Sequence, residues 1–231
     1  MMRDIWCVAW KELMLTRRNL KTYATSYGIV IAIWGIFMPV SMADSIWNGD
    51  VSMAILMFAY LSVFLASGQT ISAFVGERMQ KTLGTLLTTR LSDAAIYLGK
   101  VLAIILTAYA VTLLVLGLHL SAVWYTAMLK GYQSKFPYAP VELTFMLVLP
   151  VFSLLYTSAL GVYASLKSTN IRGQHFLNLF MGLPVLAIFY QVLKSLSWQS
   201  LLISMAIFGV VVVGITLFSI GRFNRQRLIL Q

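Results

Sequence analysis

Six long apolar segments dominate this sequence, and their length restricts the folds that the chain can adopt. They lie near residues 23–43, 51–75, 96–125, 141–166, 174–193 and 200–221. Each approaches or exceeds the roughly 20 residues that a helix needs to cross about 30 Å of hydrocarbon. Because a backbone in lipid must satisfy its own hydrogen bonds, such segments form helices. The sequence therefore predicts an all-α membrane protein, a single domain over 1–231 with six transmembrane helices.

Composition agrees with a membrane protein. Hydrophobic residues make up 60% of the chain and charged residues only 10%, whereas soluble domains carry roughly 25% charged residues.

Two of the six apolar segments differ from a simple membrane span. The third is long enough to extend beyond the bilayer on one side. Gly182 and Pro184 interrupt the fifth, and we expect Pro184 to kink it or to mark a re-entrant section before the sixth.

The basic residues indicate how the helices are oriented. Of the 17 Lys and Arg residues, all except Lys130, Lys135 and Lys194 lie in the regions 1–21, 77–100, 167–173 and 222–227. Cytoplasmic loops are enriched in Lys and Arg, so we expect both termini, including the tail 222–231, in the cytoplasm. We expect an integral membrane protein, located in the plasma membrane of a bacterium or archaeon. Because the net charge of +10 is concentrated on that side of the membrane, we expect lipid contacts and no nucleic-acid partner.

Residues 2–21 form an amphipathic pattern before the first span. One face at helical spacing carries Met2, Ile5, Trp6, Ala9, Trp10 and Leu13. The opposite face carries Asp4, Lys11 and Arg18. Trp at headgroup depth with cations toward anionic lipid is typical of a helix that lies in the membrane interface. A helix packed on a soluble domain would show the same pattern, but no such domain exists in this sequence.

The stretch Glu77–Lys100 is the longest polar interruption after the N-terminal segment. Within it, Leu83, Leu86 and Leu87 fall at i, i+3 and i+4, which places them on one stripe of a short helix. Such a helix could bury its apolar side in lipid, against its own bundle, or in a groove on a partner.

No residue pattern for catalysis or cofactor binding is present. The sequence has no G-x-x-x-x-G-K-[ST] nucleotide-binding motif, and His119, His175 and Cys7 lack metal-ligand spacing. We interpret His119 as a packing or interfacial histidine. None of the seven acidic residues falls at mid-membrane, where ion-coupled carriers commonly place them. The chain is therefore predicted not to be an enzyme and to bind no cofactor itself; energy for uphill transport would come from another subunit.

Small residues repeat at intervals of four near the end of the second span. They are Gly68, Ser72 and Gly76. Such patterns let helix backbones approach closely. They could form a seam with a second copy or pack within one bundle.

The 77–100 stretch resembles the signature of the type-2 ABC export permeases, the membrane subunits of ATP-driven exporters. The matching positions are Glu77-Arg78, Thr82, Leu83, Leu86-Leu87, Thr89, Leu91-Ser92 and Gly99-Lys100; Lys81, Gly84 and Arg90 stand where the family usually has Gly, Glu and Pro. The resemblance extends to an amphipathic start with Lys11-Glu12 and Arg17-Arg18. It also includes residues 168–184, with Arg172, Asn178 and Pro184, and a basic tail with Arg222, Arg225 and Arg227.

This resemblance implies a function as well as a topology. Residues 2–21 would be the elbow helix, and 79–91 a coupling helix seated in a groove of a cytoplasmic ABC ATPase. The residues that would contact the ATPase are Glu77, Arg78, Leu83, Leu86, Leu87 and Arg90. ATP and Mg would be bound by that partner, and a second copy or a homologous permease would complete the translocation path.

Hydroxyl and aromatic side chains with few charges in the spans favour a hydrophobic or amphiphilic substrate. Two other classes stay open from the residues. One is a stand-alone channel or secondary carrier. The other is a membrane scaffold that associates with an ATPase without transporting anything.

Overall fold

A computed structural model describes residues 2–71, 90–132, 137–167, 182–183, 185 and 196–222. All regular secondary structure in this part of the chain is helical, as predicted. The helices are α1 (Met2–Arg18), α2 (Leu20–Ala32), a π-helical segment (Ile33–Phe37), α3 (Met38–Ser41), α4 (Ala43–Trp47), α5 (Ser52–Ile71), α6 (Asp93–Lys130), α7 (Pro140–Lys167) and α8 (Trp198–Arg222).

Five helical stretches in the described residues are long and apolar enough to cross a membrane. They are Tyr23–Ser41, Ser52–Thr70, Asp93–Lys130, Pro140–Val162 and Trp198–Ser219. They correspond to the predicted first, second, third, fourth and sixth spans. The predicted fifth span, 174–193, falls largely outside the described residues, which include only Gly182, Leu183 and Val185 from it. Several long apolar helices make the chain an integral membrane protein.

Helix α6 is the longest helix that the structure describes, and local sequence explains both of its ends. At its start the Ser92 hydroxyl accepts a hydrogen bond from the Ala95 amide at 3.2 Å, and Asp93 lies in the first turn. At its end Gly131 adopts the left-handed conformation, with φ 69°, which glycine tolerates best. Its 38 residues extend about 57 Å. The third apolar segment is therefore much longer than the bilayer requires.

The first span is irregular near its middle. Pro39 has no amide hydrogen to donate to the Gly35 carbonyl, and the helix widens over Ile33–Phe37 into a π-helical segment just before it. A π-bulge accommodates such an interruption in the hydrogen-bond pattern. Gly35 packs on α6, since a β-carbon there would lie 3.0 Å from the Leu118 Cβ.

The core of the bundle forms where α5 packs against α7. Both helices present small side chains every four residues, and all of these residues are buried: Ser62, Ala66 and Thr70 on α5, and Ser153, Thr157 and Gly161 on α7. The contact is close at Gly161, where a β-carbon would lie 2.6 Å from the Thr70 Oγ1. Helix α6 joins this pair through the Tyr97 hydroxyl, which donates to the Ala159 carbonyl at 2.9 Å.

Candidate functional site

The N-terminal helix packs along the beginning of α6. Val8 and Ala9 are buried in this contact region, and Gly99 on α6 lies directly opposite Val8. A β-carbon at position 99 would lie 2.6 Å from the Val8 Cβ and 2.9 Å from the Ile5 carbonyl oxygen. Distances this short mean that only glycine lets the two helices approach as they do. Gly99 therefore fixes where α1 meets the third span.

A buried ion pair joins the same two helices one residue further along. The Lys100 ammonium donates to a Glu12 carboxylate oxygen at 2.9 Å. The Lys100 side chain is 1% exposed and that of Glu12 is 23% exposed. Removing one member of a buried pair leaves the other charge without its counterion and commonly costs about 3–5 kcal/mol. Partial exposure of Glu12 favours the lower end of that range.

A small polar cavity lies beside this ion pair. Its polar lining includes Thr16 and Tyr23 from the N-terminal part of the chain, and Gln69 and Thr107 from the second and third spans. The Thr107 hydroxyl donates to the Gln69 side-chain carbonyl and so connects α5 with α6. Four helical segments of the chain, α1, α2, α5 and α6, therefore contribute polar groups to one end of the bundle.

This polar cluster lies next to the stretch that the sequence singled out. Helix α5 ends at Ile71, and the chain is described again from Arg90, which is exposed and precedes the first turn of α6. Gly99 and Lys100, which end the signature-like stretch, belong to the contact with α1.

The remaining predicted contact residues, Glu77, Arg78, Leu83, Leu86 and Leu87, lie outside the described residues, as does nearly all of the predicted helix 79–91. Of the predicted small-residue pattern, only Gly68 is described. Gly68 is exposed, and a β-carbon on it would lie 3.7 Å from the Tyr27 hydroxyl of α2. Ser72 and Gly76 lie outside the described residues.

The predicted apolar face of α1 is divided between two environments. Ala9 is fully buried and Ile5 partly buried against α6. Trp6 and Trp10 are each 52% exposed, and their ring centroids lie 6.3 Å apart. Lys11 is exposed on a further side of the helix. The helix thus has one side on the bundle, one exposed apolar side and one charged side.

A second group of polar contacts lies at the opposite end of the bundle. The Asp44 carboxylate accepts hydrogen bonds from Lys130, at 2.6 Å, and from the Tyr132 hydroxyl. These two hydrogen bonds hold the pKa of Asp44 below its usual value, and the bond from Lys130 has the larger effect. About three turns earlier on α6, the buried His119 ring shares a hydrogen bond of 2.6 Å with the Tyr138 hydroxyl. His119 therefore packs inside the bundle.

Sequence reasoning missed the pairing of Glu12 with Lys100, although a signal was present. Lys100 is the one basic residue within the predicted third span, 96–125. A charge inside an apolar segment requires a partner or access to water. That requirement would have directed attention to an acidic residue at the same end of the bundle, and Glu12 meets it.

Comparison with known proteins adds no family assignment, because no protein-family model and no curated protein sequence matches the chain.

Proposed function

We propose that this chain is the membrane-spanning permease subunit of an ATP-binding cassette exporter, driven by a separate cytoplasmic ATPase. One observation supports the proposal. Two parts of the sequence that both resemble the type-2 ABC export permeases are distant along the chain but contact each other in the structure. Gly99 and Lys100, at the end of the signature-like stretch, pack against the helix that carries Lys11 and Glu12. This contact secures the third span just after the stretch on which an ATPase would act.

The mechanism follows from the position of the stretch Glu77–Lys100 between the second and third spans. A partner that bound Leu83, Leu86 and Leu87 would hold a segment connected to α5 at one end and to α6 at the other. ATP could change the bundle only if the ATPase bound two states of the subunit with different affinities. Movement of the stretch toward or away from the membrane would then alter the relative position of the second and third spans.

The same proposal sets orientation and assembly. The end of the bundle that contains Glu12 and Lys100 faces the cytoplasm of a bacterial or archaeal cell, with both termini on that side. The exposed Trp6 and Trp10 lie in the membrane interface. A second copy or a homologous permease completes the path, ATP and Mg bind to the ATPase, and a hydrophobic or amphiphilic molecule is exported.

Affinity purification of the tagged chain from mild detergent tests this function. We expect an ABC ATPase to copurify with it, and we expect Leu86→Glu or Leu87→Glu to abolish that association by placing a carboxylate in an apolar groove. Thr85→Glu is the matched control, because it adds the same charge on the side of the predicted helix away from these leucines.

Three outcomes would contradict the proposal. Retention of the ATPase by Leu86→Glu and Leu87→Glu would refute the coupling role of the leucines. Substrate flux through liposomes that contain this chain alone, without ATP, would identify a channel or secondary carrier. An associated ATPase whose hydrolysis never drives movement of any compound would identify a scaffold.

A further inference from the structure

We propose that Glu12 and Lys100 are positioning residues that make the N-terminal helix move together with the third span. The inference rests on the proposed function, because its purpose is to carry a displacement of the 77–91 stretch to the first span. The pair acts through the helices it joins and contacts no substrate.

Two adjacent attachments fix α1 on α6. Gly99 receives Val8, and Lys100 binds Glu12. Val8 and Glu12 are four residues apart and therefore lie on the same side of α1. A steric contact and an ion pair one turn apart restrict both sliding and rotation of the helix. The pair also restricts separation, because Lys100 is almost fully buried and would lose the Glu12 carboxylate if α1 moved away.

The connection from α1 to the first span is short as well as continuous in its backbone hydrogen bonds. Only Asn19 separates α1 from α2, and backbone hydrogen bonds continue across it. The Asn19 amide donates to the Leu15 and Thr16 carbonyls at 3.2 and 3.1 Å, and the Tyr23 amide donates to the Asn19 carbonyl at 3.1 Å. A displacement of α1 is therefore passed directly to the span that begins at Tyr23.

These contacts define a continuous path. The 77–91 stretch enters α6 at Arg90, the start of α6 is bound to α1 through Lys100 and Glu12, and α1 continues into the first span. Without the ion pair, movement of the stretch would still reach the second and third spans, but its path to the first span through α1 would be lost.

The chain offers a native probe for this test. Its single cysteine, Cys7, is free and exposed on α1, so a spin label attached there reports on α1 without any introduced residue. In the purified chain we expect Glu12→Gln and Lys100→Met to raise label mobility, because loss of the buried pair lowers the equilibrium constant for the packed helix by roughly 100-fold. The charge exchange Glu12→Lys with Lys100→Glu is expected to restore the low mobility.

A matched control is available at the other end of the bundle. Lys130 and Asp44 also join distant parts of the chain, but their side chains are 47% and 64% exposed. Exposed pairs contribute little, so Lys130→Met should leave the Cys7 label unchanged. Wild-type mobility in both Glu12→Gln and Lys100→Met would overturn the proposal, as would failure of the charge exchange to restore it.

The complex with the copurified ATPase gives the second measurement. We expect ATP and Mg to shift the Cys7 label spectrum in the wild type and in the charge exchange, and that shift to be lost in the single variants. A purely structural pair would not eliminate the nucleotide response of complexes that remain assembled. If the single variants do not fold, the charge exchange decides: a wild-type response supports the path, and loss of the response refutes it.

Failure of this inference and failure of the proposed function are distinguishable. If no ATPase copurifies with the wild type, the proposed function fails, whereas the mobility measurement on the isolated chain still decides whether the pair holds α1. If the ATPase is present and the single variants keep the wild-type nucleotide response, the proposed function stands and the positioning role is wrong.

Discussion

Replacement of Gly161 by alanine tests the packing on which the whole bundle depends. The new β-carbon would lie 2.6 Å from the Thr70 Oγ1 and 2.8 Å from both the Cβ and the Cγ2 of Thr70. Thr70 cannot simply rotate away, because its Cβ is fixed by the backbone of α5. Helices α5 and α7 must therefore separate locally, at the most extensive interface among the described helices.

The expected magnitude combines two opposing effects. Alanine favours a helix over glycine by about 1 kcal/mol, whereas overpacking a well-filled interior costs typically about 1–3 kcal/mol. A contact through backbone-anchored atoms favours the upper part of that range, so we expect a net loss of about 1–2 kcal/mol. For a chain of this size each kcal/mol corresponds to roughly 2–4 °C in melting temperature. Thermal unfolding of the purified protein in detergent, followed by tryptophan fluorescence, measures this loss.

Two further variants make the result specific. Gly117→Ala is the matched control on α6, because a β-carbon there meets no atom within 4 Å, and its melting temperature should be unchanged or slightly higher. The exchange Gly161→Ala with Thr70→Gly removes the Thr70 side chain and should recover part of the loss relative to Thr70→Gly alone. Equal melting temperatures for Gly161→Ala and Gly117→Ala would refute the close approach of α5 and α7.

Two other predictions concern the opposite end of the bundle. Tyr138→Phe removes the hydrogen-bond partner of the buried His119 ring and should lower unfolding stability by about 1–3 kcal/mol in the same fluorescence assay; an unchanged midpoint would show that the bond contributes nothing. Because hydrogen bonds from Lys130 and Tyr132 lower the pKa of Asp44, its ionised form stabilises the fold above its unfolded pKa near 3.8. That contribution is lost as the pH falls through the lower folded pKa. The difference in melting temperature between the wild type and Asp44→Asn should therefore shrink below about pH 4, and a difference that grows there would contradict the assignment.

The helical class and the positions of most spans could be predicted because lipid leaves a chain few options. A long apolar segment must form a helix there, so length and hydropathy were sufficient to locate Ser52–Thr70 or Pro140–Val162. The ends of α6 were less accessible from hydropathy, since Ser92 and Gly131 act through capping geometry. That geometry extends the helix at both ends beyond the predicted 96–125.

Contacts between helices were harder to predict, for a physical reason. Periodicity indicates which residues share a face but not which neighbour that face meets. On α1, Ala9 and Trp10 were placed on one apolar face, yet Ala9 is buried against α6 and Trp10 is largely exposed. The spacing of small residues singles out Gly68, whereas Thr70 is the residue of the second span that closely approaches Gly161 on α7.

The charged residues at the candidate site show the same limitation. Glu12 and Lys100 are 88 residues apart, and each alone fits its local pattern: Glu12 in an amphipathic helix, Lys100 at the end of a signature-like stretch. Only the packing of α1 on Gly99 brings the two charges together. A pairwise contact of this kind depends on tertiary structure and carries no local periodicity.

Native mass spectrometry of the complex released from membranes in mild detergent tests the central claim most directly. The account predicts an assembly in which two permease chains, identical or related, accompany nucleotide-binding chains that carry the G-x-x-x-x-G-K-[ST] motif absent from this sequence. Recovery of this chain only by itself, or only with proteins that lack a nucleotide-binding motif, would contradict the account.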